Sequence, residues 1–132
     1  MTPCIEEAHR LLRLAERDLK TFHILAAHPE AAFSAMCFHA QQSTEKSLKA
    51  VLTSHCADFP RTHNLEELAI LIGEQQISLP LPARELRRLN PYAVDFRYGE
   101  VDIALITREE TEDIAEKSLQ WAKQHVTEVE KS

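Results

Sequence analysis

Glycine is nearly absent: Gly73 and Gly99 are the only two in 132 residues. No phosphate-cradling loop and no dinucleotide fingerprint can be built from glycines so placed, because both need several within a few positions. No apolar run approaches the roughly 18 residues of a membrane span. Aromatics are 6% of the chain; with so few glycines for turns, a β-sandwich is disfavoured. The three cysteines, Cys4, Cys37 and Cys56, form no CxxC and give no disulfide framework, which fits a reducing cytosol. The seven histidines form no HxxxH or HExxH and no Cys-His cluster at ligand spacing, so neither a metal nor another cofactor is expected. A basic excess is also missing. The net charge of -6 argues against a general nucleic-acid coat and leaves room only for a local basic cleft.

What is present is helical. Leu, Ala, Glu, Lys and Gln are abundant, and 132 residues suit one domain with a single core. The N-terminal stretch carries Glu6 and Glu7 early and lacks the uninterrupted apolar core of a signal peptide, so a cytoplasmic protein is expected. Ile5, Ala8, Leu12, Ala15, Leu19, Phe22 and Leu25 recur at three- and four-residue steps, predicting a helix over about 4–27. A second helix is expected over about 30–56, opened by Pro29. A third runs over about 65–73, capped by Asn64 with Glu67 as capping-box partner and ended by Gly73. "ISLPLP" reads as a loop, and helical character resumes near 82 with a break at Pro91 and closure at Gly99. "EVDIALI" is ambiguous. Thr107 and Glu110 cap a last helix with Ile114, Leu119, Ala122 and Val126 inward. The fold class is an all-α, up-and-down bundle of about five helices, a single domain over 1–132.

The second helix poses the functional question. Phe33, Met36, Ala40, Thr44, Ser47 and Val51 share a face that suits close packing. His39, Gln42, Lys46 and Lys49 make a second, polar stripe, with Phe38 in or near it and Glu45 placed to pair with Lys49. A solvated face would give such a stripe too, but it would leave the Phe38 ring exposed, whereas a subunit interface would bury it.

"CFHAQQSTEKSLKAVL", "RTHNLEEL" and "LNPYAVDFRYG", in that order, resemble the signature stretches of HEPN domains, helical modules named for nucleotide binding in higher eukaryotes and prokaryotes. The resemblance spans nearly the whole chain. It implies a five-helix bundle that is usually a homodimer, often acting with a minimal nucleotidyltransferase as the toxin half of a toxin-antitoxin pair. Catalytic members resemble one another in a late Arg-x(4-6)-His motif that cuts RNA without a metal: histidine as base, arginine as clamp for the charged phosphorane.

Only Arg17 and His23 have that order and spacing here, and they lie in the first helix, roughly 120° apart around it. No histidine follows Arg97 before His125. Arg61 and His63 are the substitute catalytic pair; the competing role for His63 is to hydrogen-bond backbone at the next helix start. For nucleotide or phosphate binding the candidates are Lys46, Lys49, Arg88, Arg97 and Tyr98, with Arg84, Arg87 and Tyr92 in the same locally basic stretch. Phe38, His39, Gln42 and Glu45 are the candidate interface or seam. Two functions stay open: a module that binds a nucleotide or RNA, and a non-catalytic helical interaction or dimerisation module.

Overall fold

A computed structural model describes residues 2–93 and 106–132. Among them it holds α1 (Pro3–Ala26), α2 (Phe33–Ser54), α3 (Leu65–Glu74), a single turn α4 (Ala83–Leu86) continued as a 3-10 segment (Arg87–Tyr92), and α5 (Arg108–Lys131). No strand occurs among the described residues. Pro91 lies inside the 3-10 segment, so the break near it is a change of helix type, away from the α-helical arrangement in which a proline ring clashes with the i−4 carbonyl. Gly99 and most of "EVDIALI" lie outside the described residues.

Helix α2 is central. It buries 13 of its 22 residues, among them the whole expected packing face except half-buried Phe33. Small hydroxyls let neighbours approach: Ser43 Oγ donates to the Ala15 carbonyl across the α1–α2 contact at 2.8 Å, and Thr44 and Ser47 donate back to their own helix. Contacts such as Ser43 with Ala15 and His39 with Asp18 set α1 antiparallel to α2. His9 with Glu130 and Lys123 with Glu16 set α5 antiparallel to α1. α3 and the 3-10 segment close the remaining side of α2. Leu68, Ile72, Leu86, Leu89 and Ile106 are fully or almost fully buried there.

The ends follow the sequence, with three exceptions, the first being that α2 starts at Phe33 with Ala32 at its N-cap and Pro29 lies in the turn before it. Thr107 and Glu110 form the reciprocal capping box, and Glu110, held by Arg88 and by Thr107, has its carboxyl lowered to about 2. At α3, Asn64 Oδ1 accepts from the Glu66 and Glu67 amides. The Glu67 carboxylate, however, accepts from Thr62 Oγ1 and not from the Asn64 amide, which donates to Thr62 Oγ1. Nor does Gly73 stop α3. The helix runs through it to Glu74, and Gln76 takes the left-handed conformation (φ 62°).

An added Cβ at Gly73 meets nothing within 4 Å. Gly73→Ala is therefore expected to stabilise the fold by about 0.5–1 kcal/mol through reduced unfolded-state freedom. A urea midpoint at or below that of the wild type would refute this.

The cysteines are the larger correction. Cys4 and Cys56 are joined, with Cα atoms 5.5 Å apart and 52 positions between them in sequence. Antiparallel pairing brings the first turn of α1 beside the end of α2, a proximity that linear spacing does not reveal. Cys37 remains a buried thiol. Burial pushes it up to about 11, against the opposing effect of its contact with Thr111, so it is a poor nucleophile. No helix among the described residues is long and apolar enough to cross a membrane.

Candidate functional site

The polar stripe of α2 is one connected network. Asp18 of α1, only 14% exposed, accepts from Lys46 on one oxygen and lies 3.1 Å from His39 Nδ1 on the other. Lys46 also reaches Gln42 Oε1 at 3.5 Å, and Gln42 Nε2 donates to Gln41 Oε1 at 2.8 Å. Gln41, fully buried, donates to Glu45 Oε1 at 3.1 Å and to the His63 carbonyl at 3.2 Å. Glu45 then accepts from Lys49 on Oε2 at 2.9 Å and meets His63 Nδ1 through Oε1 at 2.8 Å. Thus His39, Gln42, Glu45, Lys46, Lys49 and His63, six of the residues singled out from sequence, converge with Asp18 and Gln41. Asp18 escaped the sequence reading because its partners lie 21 and 28 positions away.

The electrostatics centre on Glu45, whose side chain is 6% exposed. Burial alone would raise its pKa. Lys49, His63 and Gln41 together overcome that and hold the carboxyl below its ordinary value. The ionised carboxylate makes His63 Nδ1 the donor, which leaves Nε2 to the solvent on a side chain that is 62% exposed. His63 thus bonds a buried carboxylate through its ring, while its backbone carbonyl takes the Gln41 amide. The expected role at the helix start is filled by Asn64 and Thr62. Arg61, two residues earlier and exposed, has no hydrogen-bond or ion-pair partner among the described residues.

Most of the other expected cations among the described residues are internally compensated. Lys46 is matched by Asp18 and Lys49 by Glu45, while Arg88 pairs with Glu85 at 3.2 Å and Glu110 at 2.9 Å. Arg87 reaches Glu66 at 3.4 Å, and Arg84 is exposed. These contacts engage carboxylates on five different helices and do not gather the cations around one anion. Tyr92 is 3% exposed and packs edge-on against Phe33, so it offers no face for stacking on a base. Arg97 and Tyr98 lie outside the described residues. Phe38 is half-buried, with its ring edge-on to His39 at 5.3 Å.

One further cluster could suggest a metal. His23 lies between Glu112 (Nδ1, 3.5 Å) and Glu116 (Nε2, 3.1 Å). The two carboxylates address different nitrogens of the ring, whereas an ion would take one; the arrangement is that of a clamped histidine. It also disposes of the Arg17–His23 spacing as a phosphate site, since two carboxylates flank the ring.

Comparison with known proteins agrees with this architecture. A crystal structure of an archaeal HEPN homologue superposes with a TM-score of 0.63 at 22% identity, covering 90% of this chain and 97% of that one. No curated protein matches the sequence. The family model for the HEPN domain matches residues 8–132. With the model spanning all but the first turn of α1, and with the helical order matching a solved homologue, this chain belongs to the HEPN domain family.

Proposed function

We propose that this HEPN chain binds the phosphate of a nucleotide or RNA end at the connection between α2 and α3, acting beside a minimal nucleotidyltransferase. One observation carries the reading. His63 is solvent-facing and fixed by the buried Glu45 carboxylate, and Arg61, two positions before it, has no carboxylate partner among the described residues. A preoriented imidazole and an exposed guanidinium on one short segment are what an anion needs. The same dyad suits proton transfer, because Nε2 is available to a substrate hydroxyl while Glu45 steadies the ring. Binding assays should therefore also read cleavage.

The test is titration of ATP, GTP and short RNAs at low and moderate salt. Arg61→Ala is expected to weaken binding on the order of tenfold, with a shallower salt dependence. His63→Ala should weaken it less and abolish any cleavage. No binding by the wild type at low salt, or affinity untouched by both changes, would reject the proposal. Co-expression with a minimal nucleotidyltransferase, followed by purification through either protein, examines the partnership.

A second reading, an interaction module, is favoured by the charge compensation of Lys46, Lys49 and Arg88, which suits a surface that meets protein more than phosphate. In that reading the α2 seam, edged by half-buried Phe38, is where two copies meet. Phe38→Asp should then halve the mass seen by light scattering, since a buried carboxylate without a partner costs several kcal/mol. Unchanged mass removes the seam as the dimer contact.

A further inference from the structure

Most cations discussed so far are matched by carboxylates; a stripe on the outer side of α1 is not. Arg13, Arg17 and Lys20 follow one another at four- and three-residue steps. They are exposed, and their side chains have no hydrogen-bond or ion-pair partner among the described residues. Ile24 continues the stripe and is 52% exposed, one of two exposed large apolar residues among those described. All four line a groove of about 800 Å³ between α1 and α5, to which Leu19 and Leu119 add aliphatic surface. The stripe is on the order of 16 Å long, about three helical turns. It lies roughly 130° around α1 from Asp18, so it is a different surface from the α2 seam.

We propose that this groove docks an acidic amphipathic helix of a protein partner. The chemistry selects that occupant. Three adjacent cations with no carboxylate partner among the described residues, in a protein of net charge -6, call for carboxylates or phosphates. The exposed isoleucine and aliphatic lining call for apolar side chains at matching steps, as in helix-in-groove recognition. RNA would use the cations but not the aliphatic surface. It would also find no Phe, Tyr or Trp among the lining residues on which to stack a base. His23 lines the same groove but is clamped between Glu112 and Glu116 and adds no unmatched charge. Lys123 is matched by Glu16 at 2.6 Å. This inference does not depend on the His63 site.

The experiment uses the full chain and a labelled synthetic helix of about 16 residues, with Leu at three- and four-residue steps and Glu between them. Its controls are a scrambled peptide of the same composition and a single-stranded oligoribonucleotide. Fluorescence anisotropy at low salt should show binding of the amphipathic peptide, with the scrambled one weaker on the order of tenfold. The double change Arg17→Glu with Lys20→Glu, and separately Ile24→Asp, should each weaken binding on the order of tenfold. These positions are exposed, and circular-dichroism melts check that both variants keep the fold. Failure of the amphipathic peptide to bind, equal binding by the scrambled peptide, or indifference to both variants overturns the proposal. So does displacement of the peptide by the oligoribonucleotide, or a doubled mass in light scattering that Ile24→Asp abolishes.

Discussion

Glu45→Ala is expected to destabilise the fold by about 3 kcal/mol, the lower end of what removing one member of a buried ion pair costs. The side chain it deletes accepts from Lys49, His63 and Gln41 at once. Gln41 has no access to water, and its amide N–H₂ keeps only the His63 carbonyl. Lys49 and His63 retain some exposure, 17% and 62%, and can turn outward, which is why the loss stays at the lower end. Glu45→Gln keeps the volume but sets an amide N–H₂ against donors, so it should fall between wild type and alanine.

The sign with pH follows from the depressed carboxyl. Glu45 contributes its full stabilisation above the ordinary carboxylate range, and that contribution is lost as pH falls toward its lowered folded value. Urea midpoints at pH 7 and pH 4 should differ less for Glu45→Gln than for wild type. Equal midpoints for Glu45→Ala and wild type at neutral pH would mean the network adds nothing to stability. The same variant bears on function: without Glu45 the His63 ring loses its anchor, so any binding through His63 should weaken with it.

How far the sequence could be read depended on whether partners lie on one helix. The Glu45–Lys49 pair and the Thr107–Glu110 box are local, and periodicity alone finds them. The inward face of α2 was equally legible, because a 3.6-residue repeat of small and apolar residues admits few other placements. Asp18 was not, since nothing in α1 marks that one carboxylate as the partner of two α2 residues until the helices pack. The basic stretch near Arg88 misled for a related reason. Glu85 is local, but Glu110 arrives only when α5 docks beside the 3-10 segment. Tyr92 stands among the binding candidates in sequence because its edge-on contact with Phe33 is invisible in one dimension.

Reduction of the Cys4–Cys56 bond, or Cys4→Ser, is expected to lower stability by up to about 4 kcal/mol. A closed loop spanning the 52-position separation removes that much conformational freedom from the unfolded chain. The bond ties the first turn of α1 to the residue just past α2, where Cys56 takes a left-handed backbone (φ 54°). Its loss should first loosen that end of the bundle, around Thr2, Ile5 and Ser54, and hydrogen exchange there should quicken more than in the α2 seam. Denaturant midpoints with and without reductant measure the size of the effect, and Cys4→Ser should be indifferent to reductant. The thiol pushed up to about 11 at Cys37 keeps it from attacking the bond, because exchange needs a thiolate. With Cys4 and Cys56 joined and Cys37 free, titration of the unfolded protein should count one free thiol before reduction and three after. Three thiols at the outset, or a midpoint that ignores reductant, would dismiss the cross-link. A reducing compartment would hold the same chain in its looser form, so the strength of this one bond decides how firmly α1 is held against α2 at that end.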